Sequence, residues 1–388
     1  MKKITSNLLF RVVVAIILGI LIGKVIPESL GRVFATFNAL FDQLLKFLIP
    51  LIIVSLIIPA IAKLGQTAGK LLLFTVLVAY GSTLFAGFSS YFTSLAIFPA
   101  LIDGQHAILV DETARVLSPY FTLAIPPLLD VMSALVLAFL VGIGLTRLEN
   151  STLGKVAVDF EQIISFLIEK LIIPLLPIFI FGIFLDMTYS GKVMVILDVF
   201  IKIIGVIFAM HVLLLLLQFV IAGAIAKKNP IKLLTTMLPA YFTALGTQSS
   251  AATIPVTLLQ AKKAGVSEDI ANFCIPLCAT IHLAGSMLKI VACVVALMLM
   301  QGMPIDTLQM AGFICMLGVT MIAAPGVPGG AIMAAIGIIS SMLGFDLENQ
   351  ALMISLYIAM DSFGTACNVT GDGAIAIIVD ATFKKKQA

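Results

Sequence analysis

The run Asp361-Ser-Phe-Gly-Thr-Ala-Cys-Asn-Val-Thr-Gly-Asp372 holds the densest chemistry in the chain. Asp361, Thr365, Asn368 and Asp372 are spaced by four, three and four residues. At about 100° per residue they share one stripe of a helix. Their neighbours are apolar, and an ionisable residue in such a stretch marks a functional site by default. A polar seam that glues helices together is the blander use of the same residues, but two acids without a partner make poor glue. Asp361 can receive an ammonium group, and the Asn368 amide can donate to a carboxylate. Asp372 offers a hard anionic oxygen suited to Na+, with backbone carbonyls of an unwound stretch to complete the shell. Gly371 and Gly373, which flank it, fit a local break in the helix. An amino acid and a cation could sit side by side here.

The elements that must position this stripe lie in lipid. Of 388 residues, 61% are apolar and only 11% charged, and the mean hydropathy is +1.18. A soluble fold carries roughly a quarter charged residues, so the chain is read as an all-α integral membrane protein. Twenty-three basic against 20 acidic residues leave +3, without the clustered basic face that nucleic-acid binding needs. The five cysteines lie in apolar stretches, which argues against a disulfide-stapled secreted domain. Arg11 interrupts the apolar run after Met-Lys-Lys, and no small-x-small cleavage site closes it, so this run reads as an uncleaved first membrane helix.

A spanning helix needs about 20 apolar residues. Such spans are predicted near 8–26, 34–62, 71–99, 117–146, 158–185 and 193–226. Beyond Lys232 two apolar segments, near 234–260 and 308–343, are broken by GTQSSAATIP (Gly246–Pro255) and APGVPGG (Ala324–Gly330). Each precedes a longer segment, near 268–300 and 350–380. Repeated broken segments point to a transporter binding site, and irregular backbone at membrane depth must be buried in protein or line a wet cavity. Both breaks are therefore read as tips of re-entrant hairpins rather than kinks. Basic residues then divide cleanly. Lys2, Lys3, Lys63, Lys70, Arg147, Lys155, Lys227, Lys228, Lys232, Lys262, Lys263 and Lys384–Lys386 fall on the cytoplasmic side, against Arg32, Arg115 and Lys192 outside. Both termini are expected in the cytoplasm of a cell with a cytoplasmic membrane of bacterial type.

NVTGD (Asn368–Asp372), GVPGG (Gly326–Gly330) and TQSSAATIP (Thr247–Pro255), in this order reversed along the chain, resemble the dicarboxylate/amino acid:cation symporter family. The resemblance covers nearly the whole chain. It implies a glutamate-transporter-like fold of eight transmembrane helices and two re-entrant hairpins, assembled as a homotrimer and working by an elevator motion. Residues 1–62 and 117–185 would be scaffold; 71–99 and 193–388 would be transport domain. The resemblance places substrate amine on Asp361, with Thr365 beside it and substrate carboxylate on Asn368. Gln248, Ser249 and Ser250 would line the substrate from the first hairpin, and Val327 and Pro328 would form the gate in the second. The Na+ shell would centre on Asp372, with Asn368, Cys278, Thr280 and His282 as further candidates.

Two departures matter. Acidic-substrate members carry an arginine on the last helix to grip the side-chain carboxylate; here that position is Gly364, and the alternative first-hairpin position is Gln248. A second substrate carboxylate would stay uncompensated, at several kcal/mol, so a small neutral amino acid such as serine, threonine or alanine is expected. The seventh-helix signature Asn-Met-Asp-Gly-Thr reads His282-Leu-Ala-Gly-Ser286, which removes the aspartate of one sodium site. His282 and Lys289, seven residues apart, are candidates for coupling: an ammonium could replace a missing cation and a histidine could carry a proton. Proton coupling, or a larger neutral substrate such as cystine, is the alternative. Cys274, Cys278 and His282 at i, i+4, i+8 could suggest a soft metal site, although buried cysteines are usually plain hydrophobes. Asp42, Lys46 and Lys202 could be interhelical pairs.

No nucleotide-binding loop or hydrolase motif is present, so no cofactor beyond a coupling ion is expected. Asp361 and Asp372 would stand about 16 Å apart on a straight helix, too far for most paired-acid catalysis. The reading is a carrier, not an enzyme; a gated ion channel is the competing class.

Overall fold

The computed structural model describes residues 8–66, 70–102, 117–148, 150–191, 193–324 and 328–384. Val327, residues 103–116 with Arg115, Lys192 and the terminal lysines Lys2, Lys3, Lys385 and Lys386 lie outside the described residues, as do the side chains of Lys63 and Lys384. The described residues are helical or irregular throughout. Six stretches among them are long and apolar enough to cross a membrane: Glu28–Ala62, Lys70–Ile102, Thr152–Tyr189, Ile196–Ala226, Glu268–Met300 and Asp361–Phe383.

Helix α1 (Leu8–Gly23) packs along α6 (Ile173–Tyr189). Its Arg11 is not a stray charge, because it donates to the Pro174 carbonyl at 3.1 Å. Helix α2 (Glu28–Gln66) packs on α4 (Val131–Leu145), on α5 (Thr152–Leu167) and on α6. Between α5 and α6 the chain passes through a π turn at Ile168–Ile172. Pro174 and Pro177 follow, and a missing proline N–H is a common cause of such a local rewinding.

The span predicted over 117–146 is not one helix. Residues 117–130 run as irregular chain, and α4 begins only at Val131, with Asp130 accepting from Ser133 N as its N-cap. Pro126 and Pro127 keep a helix from running through them out of the preceding residues. The irregular stretch is tied down by side chains: Asp186 Oδ1 accepts from Leu117 N at 2.9 Å, and Thr36 Oγ1 from Tyr120 N at 2.8 Å. The pairs expected between helices are also local. Lys46 bonds Asp42 and Lys202 bonds Asp198, each one turn away on the same helix.

The remaining elements include the last helix, and most of them pack on it. They are α3 (Lys70–Ile102), α7 (Val193–Ala226), α8 (Pro230–Thr247), α9 (Ser250–Lys263), α10 (Glu268–Ile281), α11 (Ala284–Met300), α12 (Thr307–Ala323), α13 (Gly330–Leu343), α14 (Leu347–Ala359) and α15 (Asp361–Lys384). Helices α8 and α9 pack on each other as a hairpin, and so do α12 and α13. The first tip turns at Gln248, in the left-handed conformation (φ 54°). Ser249 then caps α9 by accepting from Ala252 N. At the second tip Gly329 has φ 75°, a conformation that glycine adopts without a Cβ clash.

Two breaks fall where continuous spans are predicted. The segment near 268–300 unwinds at His282–Leu283 (ψ 92° and 44°), and the segment near 350–380 breaks at Met360. Conversely, α15 runs without interruption through Gly371 and Gly373. These glycines serve close approach rather than a break. A Cβ on Gly371 would lie 2.8 Å from Gln218 Oε1 and His282 Cε1, and one on Gly373 would lie 2.6 Å from Met237 Cε.

Candidate substrate and ion site

Helix α15 starts at Asp361, directly after the Met360 break. It carries Asp361, Gly364, Thr365, Asn368 and Asp372, all buried. The other side of the site is the α10–α11 break, which frees backbone donors at the start of α11. Asn368 satisfies two of them: its Oδ1 accepts from Gly285 N at 2.7 Å and Ser286 N at 3.3 Å. Its Nδ2 donates to Ser286 Oγ at 3.1 Å. The amide expected to meet a substrate carboxylate is thus anchored on the N-terminus of α11.

Each acid has a basic partner. Lys289 Nζ donates to Asp361 Oδ1 at 2.9 Å, with Lys289 fully buried. The same ammonium lies 3.4 Å from the centroid of the Tyr357 ring, a contact that contributes about 2 kcal/mol when desolvated. Asp361 Oδ2 accepts from Gly329 N of the second hairpin tip at 2.9 Å. Removing one member of such a buried pair costs about 3–5 kcal/mol, because the other charge is left uncompensated.

The second acid is answered by a different residue. His282 Nδ1 lies 3.0 Å from Asp372 Oδ1, and its Nε2 lies 3.1 Å from Ser82 Oγ on α3. Gln218 Nε2 on α7 donates to the same Ser82 hydroxyl at 3.0 Å. His282 and Lys289 therefore do not share a helix face. The break at His282–Leu283 separates them, so that each reaches a different acid of α15.

The donor set around Asp372 fits Na+ in part. Gln218 Oε1 is buried without a hydrogen-bond partner among the described residues and sits against Gly371, next to Asp372. Hard oxygens of this kind suit an alkali cation. The imidazole already meets Asp372 Oδ1, so a cation at that oxygen would have to displace it. Thr280 is exposed and donates to Leu277 O, while the Cys278 carbonyl accepts from His282 N at 2.8 Å. Cys274 Sγ lies 3.7 Å from Thr75 Oγ1. No cluster of three or more His, Cys, Asp or Glu occurs among the described residues.

The first hairpin reaches the site through Gln248, whose Nε2 donates to Ser362 Oγ at 2.8 Å. Ser250 is buried at the start of α9, and Ser249 is half-buried at its cap. Pro328 is half-buried beside Gly329.

A model of the sodium:dicarboxylate symporter family matches residues 8–382. The chain belongs to that family. Its members are transporters, not enzymes. It is 30% identical over 252 residues to the serine/threonine transporter SstT of Acinetobacter baumannii (strain SDF), covering 63% of this chain and 62% of that one. It is 27% identical over 261 residues to human excitatory amino acid transporter 2, covering 64% of this chain and 45% of that one. The alignments thus span less than two thirds of these relatives' lengths.

Ser82, Gln218 and Tyr357 belong to none of the sequence motifs, and Ser286 and Gly329 enter only inside HLAGS and GVPGG. Gln218 was the legible one, a lone amide within LLLLLQFV, where a polar side chain is costly and needs a reason. Gly329 acts through its backbone and leaves no signal of side-chain type.

Proposed function

We propose that the protein is a secondary carrier that imports a small neutral amino acid of the serine, threonine or alanine type, coupled to a cation. The observation that carries this reading is Gly364. No arginine stands on this turn of α15, and Lys289, the cation that packs there, is paired with Asp361. A second carboxylate on the substrate would find no free charge to meet it. The 30% identity to a serine/threonine transporter supports the same class. In this reading Asp361 receives the substrate ammonium. Asn368, Thr365 and the hairpin residues Gln248, Ser249, Ser250, Val327 and Pro328 line the rest, and the Asp372 region takes Na+.

Helices α1, α2 and α4–α6 form the scaffold of this carrier, and α3 with α7–α15 the moving part. Supporting this division, α3 packs on α11, and α7 to α11 pack on or beside α15, whereas α1 and α2 pack chiefly on α4–α6. The carrier works as a homotrimer in the cytoplasmic membrane, with both termini inside.

A second reading is favoured by one contact. His282 lies against Asp372, which supports H+ in place of Na+ as the coupling ion of that alternative. The test is uptake of labelled serine by purified protein in liposomes, under an inward Na+ gradient, an equal choline gradient or an acid-outside pH gradient. Sodium-dependent uptake competed by threonine and alanine but not by aspartate is the expected result. Uptake driven only by the pH gradient moves the coupling to His282. Accumulation of aspartate without serine sinks the neutral-substrate reading.

A further inference from the structure

The Lys289–Asp361 pair raises a question that the proposed function leaves open. The acid assigned to the substrate ammonium already holds an ammonium of the chain. Lys289 Nζ is 2.9 Å from Asp361 Oδ1, Gly329 N is 2.9 Å from Oδ2, and the Lys289 side chain is fully buried. Both carboxylate oxygens are thus satisfied by the chain itself, one of them by the tip of the second hairpin.

We infer that Lys289 is the resident occupant of the ammonium subsite on Asp361: the substrate's ammonium displaces it, and it returns when the substrate leaves. The inference rests on the proposed reading that an amino acid binds at Asp361. Three observations support displacement rather than a permanent structural bridge. A lysine ammonium sits on a flexible four-carbon stem and makes no fixed bidentate fork. That stem lies across Gly364, where a Cβ would come within 2.8 Å of Nζ and 3.0 Å of Cε, so the absence of a side chain there is what gives the stem its room. And the Tyr357 ring face can hold the ammonium by cation–π attraction without help from the carboxylate.

Charge balance selects the ligand. When a zwitterion enters, its ammonium pairs with Asp361 and the released Lys289 ammonium pairs with its carboxylate. Two positive and two negative groups then remain in a buried site, as one of each did before. An acidic amino acid would bring one negative charge more. Between substrates, the returning lysine keeps Asp361 paired and lets Gly329 keep the second hairpin closed over it. The carrier can then cross back without a bare carboxylate, whose burial would be prohibitive.

The test compares the full-length wild type with Lys289→Gln in liposomes, using labelled serine, alanine and aspartate in parallel. Net uptake into substrate-free vesicles requires the unloaded return step, whereas exchange against internal substrate does not. For Lys289→Gln the ratio of exchange to net uptake should rise at least about tenfold. Serine should also bind more tightly, because the tethered competitor no longer reduces the binding-competent fraction. A proportional fall in both modes, or no change in either, overturns the inference. If Lys289→Gln does not fold, the double variant Asp361→Asn/Lys289→Met, which removes both charges, is titrated with serine and with lactate, which lacks the ammonium. Loss of the preference for serine is expected, and a retained preference overturns the inference. If the wild type carries aspartate and not serine, the neutral-substrate reading fails, and the same ratio measured with aspartate still decides the role of Lys289. Transport of no amine-bearing substrate would overturn both.

Discussion

The two ends of the polar stripe on α15 resemble each other in charge and differ in kind. At Asp361 the partner is a lysine, a compact, strongly hydrated point charge, held by a flexible stem and roofed by the second hairpin through Gly329. At Asp372 the partner is a histidine in a stiff ring, wedged between the acid and Ser82 and backed by Gln218. A lysine can leave its acid by swinging on its stem. The His282 ring, held at both nitrogens, has no such stem. The difference teaches that one buried acid is met through a movable stem and the other through a ring held at both nitrogens.

The comparison is broken most severely by removing the acids one at a time. Asp361→Asn leaves the Lys289 ammonium buried without a counter-charge, and should cost about 3–5 kcal/mol of stability, read by thermal unfolding in detergent. Asp372→Asn leaves an imidazole that can be neutral and still hydrogen-bond, so its cost should be nearer ~1 kcal/mol. Equal losses for the two variants would show that the ends do not differ in this way. A middle-sized effect concerns coupling. His282→Gln should remove stimulation of serine uptake by an acid-outside gradient if the pair carries H+, and should leave sodium stimulation in place if Na+ is the coupling ion. The last pair of variants is steric. Gly371→Ala would press on the His282 ring and the Gln218 amide and should cost about 1–3 kcal/mol by overpacking. Gly364→Ala puts its Cβ 2.8 Å from Lys289 Nζ, so the ammonium must shift on its stem, and the gain of about 1 kcal/mol in helix propensity should offset part of that cost in the same melts.

Much of this arrangement was legible without coordinates. The stripe Asp361, Thr365, Asn368, Asp372 follows from helical spacing, and the hairpin tips from polar, glycine and proline runs inside apolar segments. Family membership followed from three motifs and is shown by the match over residues 8–382. Other elements were misread for physical reasons. Residues 117–130 are apolar enough to imitate a span, yet Pro126 and Pro127 keep them out of a helix. Gly371 and Gly373 suggested a break because glycine is permissive, whereas in α15 they make room for Gln218, His282 and Met237. The breaks at His282–Leu283 and Met360 carry no glycine or proline of their own, so local propensity does not announce them.

What this sequence determines alone is its solvent, its helices and the identity of the polar groups, because composition and periodicity are local properties of a chain that must satisfy its backbone in lipid. Which acid meets which base is decided only by the tertiary structure. Lys289 and Asp361 are 72 positions apart, and His282 and Asp372 are 90. Their pairing depends on where α10 stops and α11 starts, and that break is held by Asn368 capping backbone donors from another helix, a contact that no local pattern encodes.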